Sequence, residues 1–149
     1  MFDWIVKYVG FLKHVPLLPH VFDAWLKVTS LLHNRNLMDY IDEIETEVRL
    51  WPGTSVQAHK FGGIQFNKDN RELGHIHGNG LLDILLSRRQ KNELMKKYPV
   101  QDHHVFKNSG WISYWIKTAE DSKTAVSLLN HVYNLRSFAA EDDSGRKLF

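Results

Sequence analysis

The chain of 149 residues has the length of a single domain, and its 43% hydrophobic and 24% charged residues are an ordinary balance for a globular protein. Its 19 basic and 17 acidic side chains are scattered and leave a formal charge of +2, so no nucleic-acid partner is predicted. The absence of cysteine excludes disulfides, thiolate metal ligands and a cysteine nucleophile, and it favours a cytoplasmic location.

Residues 1–50 are predicted to be helical. Apolar residues recur at helical spacing over 3–13 and 19–32, and prolines separate these two segments. A third helix is expected to begin after Asn36 as N-cap and to end at Pro52. Its buried face would consist of Leu37, Ile41, Ile44 and Val48. Charges and prolines interrupt the apolar runs, so neither a spanning helix nor a secretory signal is predicted. Peripheral membrane contact and a homo-oligomer contact are the roles left open for the first helices.

Short apolar runs bounded by Gly, Asn and Asp predict strands further along the chain. These runs cover residues 54–60, 63–67, 72–77, 81–86, 103–107 and 111–117. Lys68-Asp69-Asn70 and Gly78-Asn79-Gly80 predict tight hairpin turns. Ser87 to Gln90 has the pattern of a capping box, for a helix that runs to Tyr98. The last helix is expected to open near Thr118.

The pattern therefore predicts an α+β fold. A mainly antiparallel sheet of five to six strands would pack with helices and follow an N-terminal helical segment. We expect one domain over 1–149, divided into N-terminal helices (1–50), an α+β core (51–136) and a polar tail (137–149).

Histidines concentrate in two places, Glu72-Leu73-Gly74-His75-Ile76-His77-Gly78 and Asp102-His103-His104. Period-two alternation would place Leu73, His75 and His77 on one face of a strand, with Glu72, Gly74 and Ile76 on the other. Histidine can exchange a proton near neutrality, and its neutral ring can also bind a metal. This strand is therefore predicted to carry the functional site.

A metal is the minority hypothesis for this site. His75 and His77 could chelate zinc or non-haem iron if His59, His103 or His104 supplied a third ligand. Adjacent His103 and His104 would point to opposite faces of an extended strand, so at most one of them could join. The prediction favours no cofactor, with a metal on His75 and His77 as the alternative.

Two further positions carry polar groups of interest. Asp83 lies in an otherwise apolar run and needs a partner, for which Arg88, Arg89 and His75 are candidates. Ser109 could be a hydrolase nucleophile, but neither a G-x-S-x-G elbow nor an H-E-x-x-H metalloprotease motif occurs.

An ordered set of motifs carries a family resemblance. It consists of His59-Lys60-Phe61-Gly62-Gly63, the histidine motif at 72–78, Leu81-Leu82-Asp83, His103-His104 and Ser109-Gly110-Trp111-Ile112-Ser113. Over residues 51–135 the chain resembles the luciferase-like domain of the fungal bioluminescence enzyme and its small bacterial relatives. The resemblance implies oxygenation of a small molecule without metal or organic cofactor, as the fungal enzyme does with a hydroxylated pyrone. For the bacterial relatives it implies no established function.

The site predicted from these observations has two groups of residues. The catalytic candidates are His75, His77, Asp83 and His104, and the ligand-binding candidates are His59, His103, Ser109 and Trp111. A neutral histidine would act as general base on a substrate hydroxyl, and the resulting anion would react with dioxygen. The alternative is a non-catalytic module that binds a ligand or partner through the same histidines.

Overall fold

A computed structural model describes residues 21, 24–25, 35–60, 62–103 and 105–146, and the side chains among them up to residue 137. The predicted helix over 3–13 lies outside the described residues. Of the helix predicted over 19–32, only 21, 24 and 25 are described, and each is helical. The membrane and homo-oligomer contacts assigned to these helices therefore stay predictions.

The described part of the chain is an α+β fold with a six-stranded antiparallel sheet, as predicted. In chain order the elements are α1 (Leu37–Arg49), β1 (Thr54–Ala58), β2 (Ile64–Lys68), β3 (Arg71–Ile76), β4 (Leu81–Leu85), α2 (Arg88–Leu94), β5 (Gln101–Asp102), β6 (Trp111–Trp115) and α3 (Ala119–Arg146). The strand order is β1-β2-β3-β4-β6-β5, and every neighbouring pair is antiparallel.

Helix α1 provides one part of the core. Its four predicted apolar residues, Leu37, Ile41, Ile44 and Val48, are all buried. They pack in one hydrophobic cluster with α3 and with one face of the sheet. Asn36 occupies the N-cap position, although its side chain makes no capping hydrogen bond. The Thr54 hydroxyl donates to the carbonyls of Val48 and Trp51 at 2.7 Å and so closes the turn between α1 and β1.

Both predicted hairpin turns are confirmed. Between β2 and β3, Asp69 and Asn70 adopt φ of 48° and 63°, the left-handed values that a two-residue hairpin loop requires. Between β3 and β4, Gly80 has φ of 84°. A Cβ on Gly80 would lie 2.7 Å from the Ile116 carbonyl, so both the conformation and the close approach need glycine.

A β-bulge changes the faces of β3. Phe66 of β2 pairs with Gly74 and Asn67 pairs with Glu72, so Leu73 is an extra residue on the bulged strand. Leu73 is fully buried in the hydrophobic cluster, whereas Glu72 contacts His75 on the opposite face. The predicted grouping of Leu73 with the histidines is therefore wrong, because one inserted residue reverses the side-chain alternation before it.

The predicted strand over 103–107 is also wrong. Strand β5 contains only Gln101 and Asp102, which pair with β6. After them, the His103 ring Nδ1 accepts the backbone N–H groups of Val105 at 3.1 Å and Phe106 at 3.2 Å. A side chain that takes these donors makes a turn and leaves no regular ladder for a strand.

Helix α2 contacts the segment that follows β5 through the side chain of Lys91. Its capping box at Ser87 and Gln90 is confirmed, but the helix ends at Leu94 and not at Tyr98. The Lys91 ammonium is buried and donates to the carbonyls of Lys107 and Ser109 at 3.0 and 3.1 Å. It also lies 2.6 Å from Asp102 Oδ1. One lysine thus connects α2 to both ends of the segment 102–109.

Helix α3 covers the centre of the sheet with a row of buried residues, Ala125, Leu128, Leu129 and Val132. A Cβ built on Gly74 would lie 3.3 Å from Leu129 Cδ2 and 2.8 Å from the Asp83 carbonyl, so the helix approaches β3 closely there. Its backbone continues to Arg146, through most of the predicted polar tail. None of the described helices has the length and apolar character needed to cross a membrane.

Candidate active site

The sheet register aligns three site residues in one row. His75 of β3 pairs with Asp83 of β4, and Asp83 pairs with Ser113 of β6. Directly opposed residues on antiparallel strands place their Cβ atoms about 4.5–5.5 Å apart on the same face. This face is opposite to the one that packs on α1 and α3. The row therefore juxtaposes an imidazole, a carboxylate and a hydroxyl.

Asp83 is the centre of the site. It is fully buried, and its Oδ1 accepts a short hydrogen bond from the Ser113 hydroxyl. Its Oδ2 lies 3.1 Å from His77 Nε2, 3.7 Å from His75 Nε2 and 3.6 Å from His103 Nε2. Burial acts to raise the pKa of Asp83, but the hydrogen bonds from His77 and Ser113 and the charges of nearby imidazoles outweigh it and hold the pKa below its ordinary value. The carboxylate is therefore ionised at neutral pH.

Glu72 orients His75. Its Oε1 lies 2.6 Å from His75 Nδ1. Burial acts to raise the pKa of Glu72, yet the hydrogen bond and the charge of His75 lower it overall, so Glu72 is an acceptor at neutral pH. The proton of a neutral His75 then lies on Nδ1, and the Nε2 lone pair points towards Asp83.

Glu72 was not among the predicted site residues. Strict alternation placed it on the opposite face from His75, and only the bulge at Leu73 brings it over. The register shift depends on strand β2 as well as β3. The only local signal was an acidic residue three positions before the first histidine.

His59 completes the histidine cluster from the end of β1. Its ring stacks on His75 with centroids 3.9 Å apart and an interplanar angle of 9°. Burial lowers the pKa of His59 to about 4, with a smaller effect from His75, so the ring is neutral at pH 7. His77 meets the His75 ring edge-on at a centroid distance of 5.0 Å. His59 and His77 therefore both pack against the His75 ring.

Aromatic rings form one wall of the site. The Trp111 centroid lies 5.7 Å from that of His75 and 5.7 Å from that of His103. Phe106 stacks on His103 at 5.2 Å, and its side chain is exposed. Because the His103 Nδ1 accepts two backbone N–H groups, its proton lies on Nε2 and faces Asp83. His103 is thereby fixed as a hydrogen-bond donor.

The remaining predicted site residues lie elsewhere. Ser109 forms a turn in which its hydroxyl donates to the Phe106 carbonyl at 2.6 Å and accepts the Trp111 N–H at 3.2 Å. Its ligand-binding role stays a prediction. His104 lies outside the described residues. Asp83 finds its partners among histidines and Ser113, whereas Arg89, one of the partners considered, pairs with Glu93 on the surface of α2.

Part of the chain is similar to one known protein family. A model of the luciferase domain matches residues 70–131. Over this stretch the chain is similar to a luciferase domain. The match confirms the resemblance given by the motifs, over a shorter range than the predicted 51–135. It includes most of the described site, namely Glu72, His75, His77, Asp83, His103, Trp111 and Ser113. Neither the curated proteins nor the solved structures include a significant match to the chain.

The luciferase-like part of the chain thus combines two carboxylate–imidazole pairs, Glu72 with His75 and Asp83 with His77. Such pairs support proton transfer because the carboxylate fixes the ring and stabilises its protonated form. The same donors can also bind a cation. His59 lies before the matched range but contacts His75 within it.

Proposed function

We propose that this luciferase-like chain is an enzyme for a small molecule, in which His75 removes a proton from the bound substrate. The observation that carries the proposal is the 2.6 Å contact between Glu72 and His75 Nδ1. With its other nitrogen occupied in this way, a neutral His75 presents Nε2 as the base. Once protonated, the ring would lie between the carboxylates of Glu72 and Asp83.

The reaction that follows deprotonation is the addition of dioxygen to an electron-rich substrate anion. This step rests on the luciferase-domain match and is part of the proposal. His103 would donate its Nε2 proton to a developing negative charge, and Trp111 would provide an apolar wall. The reaction needs no cofactor in this form, because the substrate anion itself supplies the electrons to dioxygen.

A binding module without catalysis is the alternative. The positions of the histidines distinguish the enzyme from the binding module. Histidines that only contribute hydrogen bonds to a binding surface need not converge on one carboxylate. Three Nε2 atoms within 3.7 Å of Asp83 Oδ2 support the enzyme. A cavity of about 380 Å³ near α2, lined by residues such as Leu86 and Val132, has none of these histidines.

Oxygen consumption tests the proposal. Purified protein is mixed with a panel of enolisable hydroxy compounds that begins with hydroxylated pyrones, and uptake of dioxygen is followed with an electrode. We expect His75→Ala to lower kcat by about 100-fold or more and Glu72→Gln to lower it less. His131→Ala is the matched control, because this histidine is exposed on α3. Turnover that is unchanged in His75→Ala would refute the proposed role of His75, and unchanged turnover in both His75→Ala and His77→Ala would refute the histidine site.

A further inference from the structure

The same cluster has the geometry of a metal site. One ligand atom each from His75, His77 and Asp83 lies within 4.8 Å of the other two. The Nε2 atoms of His75 and His77 are 3.7 and 3.1 Å from Asp83 Oδ2. A tetrahedral ion with ligand distances near 2.1 Å holds its donors about 3.4 Å apart, so these atoms need only small movements to share one ion.

Groups around the three donors leave the required atoms available. Glu72 holds Nδ1 of His75, so that Nε2 carries the lone pair, as carboxylates do behind metal-binding histidines. Ser113 occupies Oδ1 of Asp83 and leaves Oδ2 for the ion. A neutral His77 would bind through Nε2 as the tautomer protonated on Nδ1, so Nε2 would lose its proton to solvent while Nδ1 takes one up, and the ion would replace the contact with Asp83.

The neighbouring histidines have different parts in this arrangement. His103 Nε2 lies 3.6 Å from Asp83 Oδ2, beyond hydrogen-bond distance, and it bears a proton, so it offers no lone pair to the ion. A second set of three, His59, Glu72 and His75, also brings ligand atoms together. It would require Glu72 to give up its hydrogen bond with His75, and we therefore favour the set that contains Asp83.

The negative charge of Asp83 and the solvent exposure of His77 both favour a cation at this position. Asp83 is an ionised carboxylate without solvent exposure, and burial of such a charge is costly unless a cation or strong donors compensate it. The His77 side chain is 23% exposed, which provides a path to the site. Three protein ligands leave at least one coordination position for water or substrate.

We propose that His75, His77 and Asp83 bind one divalent first-row transition-metal ion, with Glu72 orienting His75. Two imidazoles and one carboxylate suit ions such as Zn²⁺, Co²⁺ and Fe²⁺. The inference concerns the site of the proposed function and adds a ligand to it. A bound ion would occupy the Nε2 atom that the proposed reaction uses as base, so base catalysis by His75 requires the ion-free protein.

Direct titration tests the site without any substrate. Tag-free protein is treated with chelator, dialysed and titrated with Zn²⁺ in a calorimeter and with Co²⁺ by visible absorption. We expect one ion per chain and cobalt bands typical of mixed nitrogen and oxygen ligands. His75→Ala, His77→Ala and Asp83→Asn should remove this binding, and Glu72→Gln should weaken it by about 10- to 100-fold.

Two controls make the outcome decisive. His131→Ala, on the exposed side of α3, should retain the wild-type stoichiometry and affinity. Circular dichroism without ion shows whether each variant is folded, and partly exposed His77 provides a test if Asp83→Asn does not fold. Absence of Zn²⁺ and Co²⁺ binding by the wild type, or equal binding by His75→Ala and His77→Ala, would overturn the site. Turnover unaffected by His75→Ala would instead overturn only the proton-removal role.

Discussion

Single residues decide the chemistry of this site more than any motif does. Leu73 is the clearest case, because its insertion as a bulge sends an apolar side chain to the core and moves Glu72 to the histidine face. Without that insertion, His75 would have no carboxylate on Nδ1, and its tautomer would not be fixed. Asp83 depends equally on one neighbour, since Ser113 binds one of its oxygens and leaves the other to the histidines.

A second hydrogen-bond network lies away from the site, around the partly buried carboxylate of Asp121. Asp121 accepts hydrogen bonds from the Tyr114 hydroxyl at 2.7 Å and from the Thr118 N–H at 3.0 Å. It thereby attaches the first turn of α3 to β6. Burial acts to raise the pKa of Asp121, but these hydrogen bonds lower it overall, whereas burial and Asp121 together raise the pKa of Tyr114.

This network predicts a pH dependence of stability. A carboxyl whose pKa is lower in the folded than in the unfolded chain stabilises the fold above its unfolded value, and this stabilisation is lost as pH falls through the folded pKa. We therefore expect the stability difference between wild type and Asp121→Asn to be largest near neutrality and to shrink at acid pH. Urea unfolding at a series of pH values measures it, with exposed Glu120→Gln as control. Parallel curves for wild type and Asp121→Asn would contradict the expectation.

At the scale of elements, the segment between β5 and β6 is held by contacts from both sides. Inside, His103 accepts the N–H groups of Val105 and Phe106. Outside, Lys91 of α2 binds Asp102 and two carbonyls of the segment. A short helix far from the cluster therefore positions a histidine that faces Asp83. The local sequence pattern predicts a strand over 103–107 and indicates neither of these contacts.

Lys91→Met should loosen this segment. The substitution keeps the length of the apolar stem but removes the charged donor to the carbonyls of Lys107 and Ser109, and a hydrogen bond from a charged group contributes about 1.5–3 kcal/mol. We expect lower stability and faster amide hydrogen exchange at Val105 and Phe106. Arg89→Met on the same helix is the control, because its side chain is 90% exposed and should change stability by about 0.5 kcal/mol or less. Unchanged exchange in Lys91→Met would show that His103 holds the turn alone.

At the scale of the molecule, one face of the sheet provides stability and the other provides chemistry. Helices α1 and α3 and the strands share one hydrophobic cluster on the first face. The row of His75, Asp83 and Ser113 lies on the second. This separation places the histidine cluster and the hydrophobic core on different faces of the same sheet.

A shared core predicts a single unfolding transition. Leu128→Ala removes a fully buried side chain and should lower the unfolding free energy by about 2–5 kcal/mol. Because helix and sheet residues belong to one cluster, far-UV and near-UV circular dichroism should report the same midpoint in wild type and variant. Ser127→Ala, at an exposed position of α3, should have little effect. Separate midpoints for the two signals would indicate that helices and sheet unfold independently.

The sequence by itself determined the features that depend on local chemistry. Helical spacing identified the buried face of α1, turn residues such as Asn70 and Gly80 fixed two hairpins, and the Ser87 capping box fixed the start of α2. The concentration of histidines indicated the correct strand. These signals are local because each depends on residues within one turn or one pleat.

Only the tertiary structure decided which groups meet. The bulge that brings Glu72 to His75 depends on the pairing with β2, and the partners of Asp83 come from β3, β6 and the segment after β5. Pairing register between strands is set by the whole sheet and its packing on α1 and α3, so no period in one strand encodes it. The histidines and Asp83 could therefore be predicted as site residues, while the approach of Glu72 to His75 could not.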